Sequence, residues 1–194
     1  MPMKVLTVTT PDIENGFGCR VTIWFAGCNR RCPGCHNPHT WNYNQGKDLL
    51  SDEVLDKIFK EVDKDYIQGI TLSGGDPFDQ DKESLEELLI FIKQFVLNYP
   101  NKDIWVYSGG LYEDFLKNDI IREILLWCNV LVDGPFIQDK KVLDLPFRGS
   151  TNQRIIDLKK SLYSDKITEP CHKAAKWVKN NSYDKIVTYF KNKK

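Results

Sequence analysis

The chain has no long hydrophobic run, no net charge and only three histidines, and each shortage closes off a class of protein. Its most apolar stretch, Ile124–Val132, is broken by Asn129 and is far shorter than a bilayer requires. The opening MPMKVLTVTTPD turns polar too early for a secretory leader. A cytoplasmic protein with no membrane association is therefore expected. Lysine plus arginine equal aspartate plus glutamate at 27 each, which gives no general case for nucleic acid. There is no internal repeat and no low-complexity segment. With 194 residues, 41% of them hydrophobic, the chain is long enough to bury a real core in one domain.

The zero net charge hides an asymmetry. Residues 159–194 hold ten lysines against Asp165, Glu169 and Asp184, a net of +7, so the first 158 residues carry −7. We divide the chain into a domain over residues 1–158 and a basic C-terminal extension over 159–194. The extension is expected either to keep the protein in solution or to dock on an acidic partner.

What is present is an alternation of β-rich and helical segments. Val5–Thr10, Val21–Phe25, Ile67–Leu72, Asp103–Tyr107, Val130–Val132 and Arg154–Leu158 read as strands. Between them, Asp52–Lys64, Asp81–Leu97, Leu111–Lys117 and Asp119–Trp127 read as helices, with Ser51 placed to cap the first. A further weak helix is expected over Ser182–Lys191. Such alternation predicts an α/β fold with a largely parallel sheet. Four strands end in polar or glycine-rich positions, at Cys28, Gly74, Ser108 and Asp133. In a parallel sheet the C-terminal strand ends share one face, where sites are built.

The first of those ends carries GCNRRCPGCHN, three cysteines in eight residues. Six cysteines in a reducing compartment argue against a disulfide framework. Zinc would need a fourth ligand, from His36 or His39, and no second CxxC pair exists. A redox dithiol at Cys32–Cys35 leaves Cys28 and the glycine-rich strand ends unexplained. A [4Fe–4S] cluster accounts for the spacing: C-x3-C-x2-C supplies three thiolates and leaves one iron for a small molecule bearing an amine and a carboxylate. Cys19, Cys128 and Cys171 read as structural.

GCNRRCPGC resembles the signature of the radical S-adenosylmethionine enzymes, and HNPHTW resembles the stretch just after that signature in activating enzymes of glycyl radical proteins. ITLSGGDP, IWVYSG, NVLVDGPF and FRGSTNQRIIDL are similar to segments of the activases of anaerobic (class III) ribonucleoside-triphosphate reductase. The resemblance runs from about Asn15 to Leu158. It implies a partial (β/α) barrel of the radical S-adenosylmethionine type, with the reductase as protein substrate and a low-potential electron donor such as flavodoxin. It further implies that Cys28, Cys32 and Cys35 hold a [4Fe–4S] cluster. Gly34, Cys35 and His36 would line the adenosine of S-adenosylmethionine, and Gly74, Gly75 and Asp76 its methionine end. The implied chemistry is reductive cleavage of S-adenosylmethionine to a 5′-deoxyadenosyl radical, which takes a hydrogen from a reductase glycine.

Many members of the wider superfamily carry an aromatic residue just before the third cysteine, where this chain has Gly34 as the reductase activases commonly do; those activases often carry an aromatic just after it, where this chain has His36. A Cβ at Gly75 is expected to displace the cofactor while sparing the cluster. Tyr107, Ser108 and Asp133 are candidates for ribose or carboxylate contacts. Arg148, Asn152, Gln153 and Arg154 form a polar cluster that serves either the fold or a ligand. The alternatives are an activase for another glycyl radical protein, a small-molecule enzyme of the same superfamily, or a non-catalytic electron carrier.

Overall fold

The computed structural model describes residues 1–164 and 166–169. Cys171, the expected helix over Ser182–Lys191 and most of the basic extension lie outside the described residues. Among these residues seven strands form one sheet: β1 (Lys4–Asp12), β2 (Cys19–Phe25), β3 (Lys47–Asp48), β4 (Ile67–Gly74), β5 (Asp103–Tyr107), β6 (Val130–Asp133) and β7 (Arg154–Asp157). Their order is β3-β1-β2-β4-β5-β6-β7. The central β2, β4, β5 and β6 are parallel, as expected, while β1, β3 and β7 pair antiparallel at the flanks. The short loop between β1 and β2 leaves no room for a helical crossover and makes those two a hairpin. Two-residue β3 has no periodicity to read and was not expected.

Among the described residues there are five α-helices: α1 (Asp52–Val62), α2 (Lys82–Asn98), α3 (Tyr112–Phe115), α4 (Asp119–Trp127) and α5 (Leu158–Ser161). Their starts are chemically explicit. The Asp81 carboxylate accepts the Ser84 N–H at 2.9 Å at the head of α2. Asn118 accepts from Ile120 and Ile121 at the head of α4. Ser51 precedes α1 but does not cap it with its side chain; its hydroxyl turns back to the Asp48 carbonyl at 2.7 Å. Asp157 ends β7 and caps α5 by accepting the Lys160 N–H, which cuts short the strand expected to reach Leu158. The domain boundary expected after Leu158 therefore falls inside a helix. Leu158 is fully buried, and Lys159 reaches the Leu126 carbonyl at 2.7 Å. Among the described residues, no helix is long and apolar enough to cross a membrane.

Period-two alternation gives the sheet two different faces. Val21, Ile23, Phe25, Ile70, Leu72, Ile104, Val106 and Leu131 meet the helices in the main core. The other face carries Arg20, Thr71, Trp105, Tyr107, Val130 and Val132, with a smaller aromatic cluster that draws in Phe17 and Phe147. Arg20 is fully buried there. It donates to Thr71 Oγ1 at 2.7 Å and to the Ile70 and Phe17 carbonyls, and it pairs with Asp103 at 2.5 Å. The guanidinium also lies over the Trp105 ring. This buried network floors the face opposite the main core.

Candidate active site

The cysteine loop leaves β2 at Phe25 and is closed at its base by backbone bonds. Gly27 N–H donates to the Thr40 carbonyl at 2.7 Å and Cys28 N–H to that of Trp41 at 3.3 Å. Two side contacts fasten the loop to the β4–α2 connection. Asn29 N–H donates to the Asp79 carboxylate at 2.6 Å, and Arg30 Nε to Asp76 at 2.8 Å. Cys28, Cys32 and Cys35 all line one cavity of about 460 Å³ at the C-terminal strand ends. Cys28 is buried, which pushes its thiol up to about 11, while the backbone N–H groups of Arg30 and Arg31 point at its sulfur and act the other way. Asn37 N–H donates to Cys35 Sγ at 3.4 Å.

A loop offering three sulfurs to one cavity, with backbone donors aimed at two of them, fits an iron–sulfur cluster. Among the described residues, no three His, Cys, Asp or Glu side chains stand close enough to share a single ion. A four-iron cluster has a corner for each thiolate and does not ask that of them. Cys19 and Cys128 are free thiols away from the cavity, and complete burial pushes Cys128 up to about 12.

Gly74, Gly75 and Asp76 also line the cavity, but the glycines are needed for a reason the sequence did not show. A Cβ on Gly75 would lie 2.2 Å from the Gly27 carbonyl oxygen, and one on Gly74, at φ +107°, 2.4 Å from Phe25 N. The close approach is to the root of the cysteine loop. Gly75→Val would therefore displace Gly27–Cys28, and the expectation that the cluster would be spared is corrected. Asp76 is 1% exposed and its carboxylate is already engaged. Oδ1 accepts from Ser108 Oγ at 2.7 Å and Phe78 N–H at 3.0 Å; Oδ2 accepts from Arg30 and from Gly109 N–H at 3.0 Å. Thus Asp76 ties three strand ends together.

The remaining expected residues divide. His36 lines the cavity, its ring 5.4 Å from that of Phe136. Gly34 instead faces Gln138, with φ +71°, and is not part of the wall. Tyr107 and Ser108 line the cavity. Burial pushes the Tyr107 phenol up, and its hydroxyl has no hydrogen-bond partner among the described residues. Asp133 is fully buried outside the wall, accepting from Tyr112 N–H and clamped by Arg154, which also forks onto Glu113 with two bonds of 2.8 Å. Arg148 and Gln153 reach the cavity, whereas Asn152 bonds the Pro135 carbonyl at 2.7 Å. Sequence reading missed Arg30, Phe136 and Gln80; the last bridges the Ala26 and Asp76 carbonyls at 3.0 Å each. Arg30 had a signal, a cation between the first two cysteines. Gln80 had none.

Fold and cavity together define a class, an α/β protein with a three-cysteine loop at its parallel strand ends. Residues 14–156 match a family model described as a 4Fe-4S single cluster domain. The narrower kinship comes from likeness over about three quarters of the chain. The chain is 37% identical over 145 residues to the anaerobic ribonucleoside-triphosphate reductase-activating protein of Enterobacteria phage T4, covering 74% of this chain and 87% of that protein. It is 39% identical over 150 residues to the protein of that name from Salmonella typhi, covering 76% and 94%. For the Haemophilus influenzae protein the values are 37% over 156 residues, 79% and 97%. The chain belongs to the family of anaerobic ribonucleoside-triphosphate reductase-activating proteins, with a four-iron, four-sulfur single cluster domain.

Proposed function

We propose that this protein is a radical S-adenosylmethionine activase that installs a glycyl radical on an anaerobic ribonucleoside-triphosphate reductase. One observation carries the reading: the three cysteines and the Gly74–Asp76 turn line a single cavity, in a chain whose relatives are named for activating that reductase. When bound, the cluster and S-adenosylmethionine would supply one-electron cleavage of the sulfonium, giving methionine and a 5′-deoxyadenosyl radical that takes a Cα hydrogen from the target glycine.

The chain's own residues bind and orient. Cys28, Cys32 and Cys35 would hold three irons. Gly74 and Gly75 present bare backbone beside them, a surface on which the methionine end can lie. Asp76 acts by positioning, since four donors already occupy its carboxylate. His36 and Phe136 offer aromatic faces for the adenine, and the unpartnered Tyr107 hydroxyl offers a donor. Among the described residues the α-helices pack on one face of the sheet, which fits a partial barrel, and in a cytoplasmic setting an external low-potential donor such as a flavodoxin would supply the electron. The test combines the anaerobically reconstituted protein, S-adenosylmethionine, dithionite and the cognate reductase. Methionine release and a glycyl doublet in electron paramagnetic resonance are expected. A doublet only on a different glycyl radical protein would overturn the choice of substrate, and no methionine release would overturn the chemistry.

A further inference from the structure

Glycine gives an activase nothing to grip. It has no side chain, so recognition of a target glycine must fall on the residues beside it and on whatever surface flanks the cavity mouth. One such surface stands out. The segment Lys141–Ser150 is a hairpin, pinned at its base by the Lys141–Ser150 bridge and by Thr151 N–H donating to the Lys140 carbonyl at 2.9 Å. Within it, Val142-Leu143-Asp144-Leu145-Pro146-Phe147 is apolar at five of six positions, the reverse of an ordinary surface loop. Leu143 is 85% exposed and Val142 41%. The same hairpin is continuous with the active site, because Leu145, Phe147, Arg148 and Gly149 line the cavity. Phe147 anchors it from below, 4.9 Å from the Phe17 ring, in a left-handed conformation (φ +58°) that a bulky residue rarely adopts.

We infer that Val142 and Leu143 form the docking edge for the glycine-bearing segment of the reductase, an extended stretch with apolar side chains flanking its glycine. The inference rests on the activase reading and names how that site selects its partner. Leu145, two residues from the exposed Leu143, already lines the cavity, so a segment lying on the tip is within reach of the site. The hairpin's pinned base means that little ordering cost remains when the segment binds.

The test uses full-length, cluster-loaded protein with intact reductase, without oxygen. Leu143→Asp should weaken the complex at least about tenfold, as loss of an apolar contact at an interface centre does. Release of methionine from S-adenosylmethionine in the absence of the reductase should not change. Leu143→Met should bind as the parent does, and Ile90→Asp on the exposed side of α2 should have no effect. Unchanged affinity for Leu143→Asp would overturn the inference. So would an equal loss for Ile90→Asp, a parallel fall in uncoupled cleavage, or a shift only in self-association of the chain. Because affinity is read separately from cleavage, a parent protein that binds the reductase but releases no methionine would sink the activase reading while leaving the docking edge tested.

Discussion

At the scale of single residues, the site separates ligands from positioning groups. Cys32→Ala should abolish iron retention and methionine release, whereas Cys19→Ala and Cys128→Ala should keep both, because neither thiol reaches the cavity. Iron content and product assay decide it. Asp76→Ala should lower stability by about 2–3 kcal/mol in urea unfolding, because it strands the buried Ser108 hydroxyl and the N–H groups of Phe78 and Gly109, while the more exposed Arg30 guanidinium turns to water. It should also loosen the cysteine loop, seen as faster loss of iron to a chelator. The cysteines were legible from spacing alone, since three thiolates must be close in sequence to meet one cluster from one loop. Asp76 was legible as a site residue, but its work was not. A carboxylate after two glycines reads as a ligand until its four donors are seen.

At the scale of elements, the buried Arg20–Asp103 pair joins β2 to β5 across β4. Arg20→Leu leaves the Asp103 carboxylate without its ion-pair partner in the interior and should cost about 3–5 kcal/mol in urea unfolding. Adding Asp103→Leu should recover a large part of that loss, which a double-mutant cycle would show. A second element-scale case is the α4–α5 junction. Burial holds Lys159 at about 8 against an ordinary 10.5. The unfolded chain binds that proton more tightly, so this group makes stability rise between pH 8 and 10.5. Cys128, pushed up from 9.0 to about 12, works in the opposite sense, because the folded chain keeps its proton as pH rises through that window. Lys159→Met removes the first effect and, with it, the smaller downward pull of the lysine charge on the Cys128 thiol. Between pH of about 7.5 and about 10 the parent should therefore gain about 2 kcal/mol on the variant. Equal pH profiles would count against the burial of this lysine.

At the scale of the whole molecule, charge is unevenly divided, −7 over residues 1–158 and +7 over residues 159–194. If the extension steers the protein to an acidic face of the reductase, deleting residues 170–194 should weaken the complex and flatten its dependence on salt, since screening acts on exposed charges. Uncoupled cleavage of S-adenosylmethionine should survive the deletion. An affinity and salt slope equal to those of the full chain would reduce the extension to a solubilising role. Lys159 does not belong with the other lysines in this argument. It is largely buried, with its ammonium on the Leu126 carbonyl.

The sequence by itself determined the class of fold, the parallel core of the sheet and the loop that carries the thiols. These come from periodicity, breakers and ligand spacing, all local properties of the chain. Only the tertiary structure decided what Gly75 avoids, what Asp76 holds and which polar residues face the cavity. Gly75 and Gly27 are far apart in sequence and meet only because β2 and β4 are neighbours in register. Arg148 and Gln153 reach the cavity while Asn152 and Arg154 turn to other partners, although all four sit in one polar segment. Direction of a side chain depends on the packing of distant elements, and composition carries no trace of it.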